Sequence, residues 1–171
     1  MWPKDCWYIA ALTHEVGRTL LKRTIAGEAV VMYRTEEGRA TAFLDRCPHR
    51  LVPLSMGRLV GDAIECGYHG ITFDCSGKCI RVPGEETFPD HFRAQTFPLT
   101  ERYGFVWIWL GNAAKADAKL IPDALRWQEE PGWCPMADYF YVAAHNQLLI
   151  DNLLDLSHEA YLHQGTIGNR A

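Results

Sequence analysis

The sequence predicts a β-rich fold, an antiparallel sandwich or barrel, followed by the start of a second, α+β region. Three observations carry that expectation. Short runs rich in β-branched and aromatic residues follow one another from residue 6 to residue 44, divided by Ala26-Gly27 and Glu36-Glu37-Gly38, both turn signals. The run Phe105 to Leu110, FVWIWL, lacks polar alternation and reads as a strand buried on both faces. Beyond it, Gly111 to Lys119 turns abruptly to small and charged residues, and helical periodicity appears only from Leu148.

In chain order, residues 6 to 12 form the first expected strand, and Arg18 to Ile25, Glu28 to Arg34 and Arg39 to Leu44 the next three. Ile64 to Cys66 and Ile71 to Phe73 lead into and out of a loop, and Asp74 to Lys78 makes a tight hairpin with Gly77 free to take positive φ. After the Pro-rich passage Val82 to Pro89, Arg93 to Leu99 and Tyr103 to Leu110 are the last strands of this unit. An exposed linker at Gly111 to Lys119 divides the chain into residues 1–112 and 113–171. Past it, Met136 to Val142 reads as one strand of a second sheet. Leu148 to Leu162 reads as a helix with Leu149, Leu153, Leu156 and Ala160 on its apolar face. Gln164 to Ala171 has little to bury and is expected to be mobile.

With 171 residues the chain can bury one good core, or one domain and part of a second. Apolar content of 48% against 22% charged residues is that of an ordinary globular protein, and a net charge of -4 gives no basic footprint for nucleic acid or a membrane surface. The longest apolar run is too short to span a bilayer. The opening MWPKDCWYIAAL lacks the features of a signal peptide, so a cytoplasmic location is expected.

Chemistry concentrates between Cys47 and His69. Cys47-Pro48-His49 and, sixteen residues on, Cys66-Gly67-Tyr68-His69 give each of two short loops one thiol and one imidazole. Four soft or borderline ligands in this order suggest a metal centre. A zinc site stays open as an alternative, although zinc usually draws Cys pairs and His pairs from separate stretches. Interleaved Cys and His suit a two-iron cluster, because each loop can give its Cys to one iron and its His to the other. That is the ligand set of a Rieske 2Fe-2S centre, in which two His replace two Cys on one iron. The two loops would then form a cluster-binding subdomain, and Gly67 and Gly70 would let backbone approach the sulfides closely. Cys6, Cys75, Cys79 and Cys134 are left over. Cys75 and Cys79 face each other across DCSGKC, where a second metal site is the alternative, but they are expected to be free thiols of a reducing compartment.

A second constellation lies in the expected helix. Asp151, Asp155 and His158 fall within about 60° of one another at about 100° per residue, forming a polar stripe. His163 is five residues after His158, about 140° away on an ideal helix, so the helix must unwind, bulge or end between them if both bind one metal. Two His and a carboxylate with open positions are the ligands of a non-haem Fe(II) oxygenase. A solvated polar face is the plainer reading of this stripe alone.

The two constellations together resemble those of the Rieske non-haem iron oxygenases. The phrases DRCPHRLVPLSMG, CGYHGITFDCSGK, ERYGFVWIWLG and IDNLLDLSHEAYLH are most similar to the oxygenase components of vanillate O-demethylase and its aromatic demethylase relatives. The resemblance implies that Cys47 and Cys66 hold one cluster iron and His49 and His69 the other. It implies that His158 and His163 hold a mononuclear Fe(II), with Asn152 near it, and that Asp155 links a cluster His of one subunit to His158 of its neighbour. It also implies a homotrimer, a small aromatic substrate, O2, and a separate NAD(P)H-dependent reductase, with or without a ferredoxin. No GxGxxG fingerprint is present, so NAD(P)H oxidation belongs on that partner. The cluster loops continue as Arg50-Leu51-Val52 and Gly70-Ile71, without the extra cysteines of high-potential respiratory Rieske proteins, which disfavours that class.

The family's third iron ligand, a carboxylate far downstream, has no counterpart before residue 171, and Glu159, about 100° from His158, is a poor substitute. These residues are therefore expected to be part of a longer polypeptide. A Rieske ferredoxin, for which residues 1 to 112 would suffice, and a zinc-stabilised binding module are the alternatives.

Overall fold

The computed structural model describes residues 2–136, 138 and 140–168. Contacts divide the chain into two compact units, Met1–Pro135 and Met136–Ala171. Among the described residues of the first lie ten strands: β1 Cys6–Leu12, β2 Leu21–Ile25, β3 Glu28–Arg34, β4 Ala40–Leu44, β5 Arg58–Val60, β6 Ala63–Glu65, β7 Thr72–Phe73, β8 Cys79–Arg81, β9 Leu99–Arg102 and β10 Phe105–Leu110. They form three antiparallel sheets in the orders β1-β10-β9, β2-β3-β4 and β5-β6-β7-β8.

The period-2 alternation of strands explains how these sheets layer. On β3, Val30 and Met32 join Ala10, Val106, Ile108 and Leu110 in one core, while Val31 and Tyr33 join Phe43, Leu54, Ile64 and Phe73 in another. The β2-β3-β4 sheet is thus the middle layer, with the cluster-loop subdomain on one face and the β1-β10-β9 sheet on the other. β10 is buried on both faces, as its unbroken apolar run predicts. Its Trp107 packs with Tyr103 and Ile121, and the 3-10 turns from Ala113 to Gln128 supply Ile121 and Leu125 to that face. Residues 111–119 are largely exposed, but the segment after the expected 112/113 boundary folds onto the first unit, whose limit falls at Pro135.

Several expected elements are corrected. Arg93 to Leu99 is not a strand. Pro98 has no N–H to donate, and residues 93–97 make only isolated bridges, Lys78 with Arg93 and Phe43 with Thr96, before β9 begins at Leu99. The second strand starts at Leu21 rather than Arg18, where its ladder with Met32 begins. Tyr103 and Gly104 are not strand but the two left-handed residues of a tight hairpin, at φ 58° and 75°. β5 and β8, three residues each, were too short to show a period. Gly77 does take φ 82°.

In the second unit the expected helix 148–162 is broken. α1 Asn146–Leu154 ends at Asp155, whose φ −89° and ψ 92° are extended; a 3-10 turn Leu156–His158 follows, then the single-turn α2 Glu159–Leu162. The stripe of Leu149, Leu153, Leu156 and Ala160 therefore does not run on one continuous face, and its three leucines are exposed. No strand forms among the described residues of 136–142; Ala137 and Tyr139 lie outside them, as do Asn169, Arg170 and Ala171 of the terminal segment expected to be mobile. Among the described residues no helix is long and apolar enough to cross a membrane.

Candidate metal centres

The two Cys/His loops are built alike. In the first, Cys47 N–H donates to Val52 O (2.8 Å) and Leu51 N–H to Cys47 O (2.9 Å). In the second, Cys66 N–H donates to Ile71 O (2.8 Å) and Gly70 N–H to Cys66 O (3.0 Å). Each loop is a six-residue ring with a left-handed corner at its fifth residue, Leu51 at φ 60° and Gly70 at φ 68°. The loops also press on each other. A Cβ on Gly57 would lie 2.0 Å from Glu65 O, and one on Gly67 would lie 2.7 Å from Met56 O. Gly67 is thus required by contact between the loops and Gly70 by its corner, reasons distinct from the approach to sulfide that the sequence suggested.

Cys47 and Cys66 are each 2% exposed, inside the core beneath Phe43, Leu54 and Phe73. His49 and His69 stand at the surface with ring centroids 4.7 Å apart. Burial pushes the Cys47 thiol up to about 11, the Cys66 thiol beside it adds to the rise, and the N–H groups of His49 and Arg50 act against it. The buried Cys47 thiol, which resists ionisation, needs a positive partner before it can act as a thiolate, and a bound metal provides one. Among the described residues no three His, Cys, Asp or Glu side chains converge on a common point. Two irons can divide four ligands in pairs, two to each. The buried thiol pair and the surface imidazole pair therefore fit a 2Fe-2S group. All six cysteines lack a disulfide.

A cleft of about 490 Å³ opens beside the imidazoles, lined by His49, His69, Ile71, Val82, Phe88 and Phe92 among others. Its outer wall is the Pro-rich passage, which in the sequence looked like a mere connection.

In the second unit, His158 and His163 flank α2 as its N-cap and C-cap, and their ring centroids are 5.4 Å apart. The helix ends at Leu162, which removes the 140° separation of a continuous helix. His163 O then accepts from the N–H groups of Thr166 and Gly168, both at 2.9 Å. Asp155 caps the 3-10 turn, accepting from Ser157 N–H (3.0 Å) and Ser157 Oγ (2.5 Å), with Oδ2 3.9 Å from His158 Nδ1. The Ser157 hydroxyl chiefly, then its N–H and the nearby His158, hold the Asp155 carboxyl below the usual range. Asp151 turns instead to Gln147 Nε2 (2.8 Å), so the stripe of Asp151, Asp155 and His158 is divided. Asn152 is an exposed residue of α1, and among the described residues no carboxylate completes a triad with His158 and His163.

A thiol pair and an imidazole pair on two matched loops, carried on a β-sandwich, define a Rieske-type iron-sulfur protein. The Rieske 2Fe-2S domain profile matches residues 6–98, and the vanillate O-demethylase oxygenase C-terminal domain profile matches residues 142–171. Over 96% of its length the chain is 43% identical to a putative toluene-4-sulfonate monooxygenase system iron-sulfur subunit from Comamonas testosteroni, and over 99% it is 40% identical to the vanillate O-demethylase oxygenase subunit of a Pseudomonas species. The crystal structure of dicamba monooxygenase with non-heme iron and dicamba superposes with a TM-score of 0.83 at 39% identity, covering 91% of this chain and 47% of that one. The chain belongs to the Rieske non-haem iron oxygenases of the vanillate O-demethylase kind. It spans about half the length of the curated relatives it matches, 47% and 48% of the two named above.

Proposed function

We propose that this chain supplies the cluster-bearing part and the first iron ligands of the terminal oxygenase in a multicomponent mono-oxygenase acting on a methoxylated or methyl-bearing aromatic acid. The observation that carries the proposal is the pairing of His158 with His163 at 5.4 Å. A Rieske ferredoxin has no use for it, and relatives named for vanillate and dicamba O-demethylation support the substrate class.

In this reading Cys47, His49, Cys66 and His69 hold the cluster within residues 1–112, and His158 and His163 hold Fe(II) in residues 113–171, which open the catalytic domain. The bound metals supply one-electron transfer and O2 activation. The chain's own groups set the stage for that chemistry. The buried cysteines anchor one side of the cluster in the core, and the exposed imidazoles present the other to a partner. His163, held by the turn that closes on its carbonyl, keeps its ring beside His158. Asp155, a carboxylate that Ser157 steadies by donating to it, can accept an N–H from His158 and from a cluster His of a neighbouring subunit, fixing both rings. In balance, a methoxyarene, O2, two electrons and two protons give the phenol, formaldehyde and water, the hydroxylated methyl being an unstable hemiacetal. The electrons come from NAD(P)H through a separate reductase, with or without a ferredoxin, in a cytoplasmic homotrimer.

The test is O2-dependent formaldehyde release from methoxybenzoates by an iron-loaded polypeptide that carries these residues together with a third, carboxylate iron ligand, supplied with a reductase and NADH; residues 1–171 by themselves should bind the cluster and release none. Rapid cluster reduction with no product from any methoxy- or methyl-aromatic acid, and no mononuclear iron bound, would favour the ferredoxin reading instead.

A further inference from the structure

We infer that Asp45 and Ser55 are positioning residues for the first cluster loop, a side-chain clasp that stands in for a missing strand pair. The inference rests on the proposal that Cys47, His49, Cys66 and His69 hold a 2Fe-2S group. The two loops are matched internally, but their ends are held differently. The second loop leaves from β6 and returns to β7, and its ends are joined by the ladder pair Glu65 with Thr72. The first loop leaves β4 after Leu44 and returns through the 3-10 turn Leu54–Met56, with no ladder between the two. Across that open end lies Asp45, whose side chain is 0% exposed. Its Oδ1 accepts from Ser55 N–H and its Oδ2 from Ser55 Oγ, both at 2.7 Å, with Lys22 Nζ 3.5 Å from Oδ2. Asp45 N–H donates in turn to Ala29 O (2.8 Å), tying the clasp to β3 in the middle sheet.

A carboxylate is a costly choice for a fully buried position unless its bonds do something an apolar contact cannot. Here it closes a loop of which Cys47 and His49 are part, by charge-assisted bonds stronger than the neutral bonds of a ladder.

The test uses the full chain with its cluster assembled, following bleaching of the visible spectrum under chelator, the midpoint potential and the EPR signal. Asp45→Ala opens the clasp and should speed cluster loss about 10- to 100-fold, the usual cost of removing a group that orients a metal ligand. Asp45→Asn keeps an acceptor for Ser55 N–H and should retain iron yet bleach faster than wild type, because neutral bonds replace the charge-assisted ones. Ser55→Ala, losing one bond of the clasp, should bleach at an intermediate rate. Thr72→Val, which removes only the bond to Gly70 O in the ladder-held loop, should bleach within about twofold of wild type. Wild-type bleaching, potential and EPR signal in Asp45→Asn and Ser55→Ala would overturn the inference even if Asp45→Ala fails to fold. Equal sensitivity of Thr72→Val would overturn the asymmetry on which it stands. A wild-type chain with no 2Fe-2S signal would refute the parent proposal instead.

Discussion

Gly57→Ala should abolish cluster binding for a purely steric reason. Gly57 has φ −91° and ψ −149°, so it does not sit in the left-handed region that favours glycine. Its Cβ, however, would sit 2.0 Å from Glu65 O and 3.1 Å from Gly67 N. Ordinary contact begins near about 3.5 Å, so the two loops must part by roughly 1.5 Å. Ligand constellations tolerate about 0.5 Å, and the overpacking itself costs about 1–3 kcal/mol. Gly38→Ala is the matched control. There φ is 83° and the added methyl meets nothing within 4 Å, so it incurs only left-handed strain of about 1–2 kcal/mol. Purified after iron and sulfide reconstitution, Gly38→Ala should melt earlier yet carry two irons and a wild-type visible circular dichroism spectrum, whereas Gly57→Ala should carry neither. Wild-type iron content and spectrum in Gly57→Ala would refute the claim that contact between the loops sets the ligand geometry.

Other outcomes follow from the same structure. His158→Ala and His163→Ala should each lose mononuclear iron by metal analysis while keeping the cluster spectrum; loss of both metals together would contradict separate sites. Asp155→Ala should oxidise its cluster without forming product, since the variant can no longer accept an imidazole N–H, and unchanged coupling of the two would remove its role. Arg34 grips Glu101 through two bonds of 2.7 and 2.8 Å and holds its carboxyl below the usual range. A depressed pKa adds stability that is complete above the unfolded value, ~4.3, and is lost as pH falls through the lower folded value. Glu101→Gln should cost about 1–3 kcal/mol at neutral pH and flatten that part of the acid unfolding curve; an unchanged acid limb would count against the pair.

The candidate ligands were legible because their chemistry is restrictive: few residue types bind iron, and CPH and CGYH offer them. The buried strands were legible from alternation, or in FVWIWL from its absence. What lay hidden required a third dimension. The cover over Trp107 comes from Ile121 and Leu125, set in a stretch whose composition reads as linker. Pro98 ended a ladder that the β-branched and aromatic residues around it suggested. The clasp of Asp45 and Ser55 joins residues ten apart that share no motif, and only the burial of a carboxylate draws attention to them. His163 was the instructive case, since its spacing required a helix end that the sequence could demand but not locate.

The cradle has a dry end and a wet end. Cys47 and Cys66 lie among aromatic and aliphatic side chains, while His49 and His69 stand at the rim of an open, apolar-walled cleft. Solvent access and local polarity help set the energy of an electron at a metal centre. The dry end is completed by this chain, but at the wet end the surroundings belong to whatever covers the rim. Water there would give one reduction energy and a seated protein another. With the proposed cluster bound, water or a partner at the rim would complete that half of its surroundings and so help set how readily it takes up an electron.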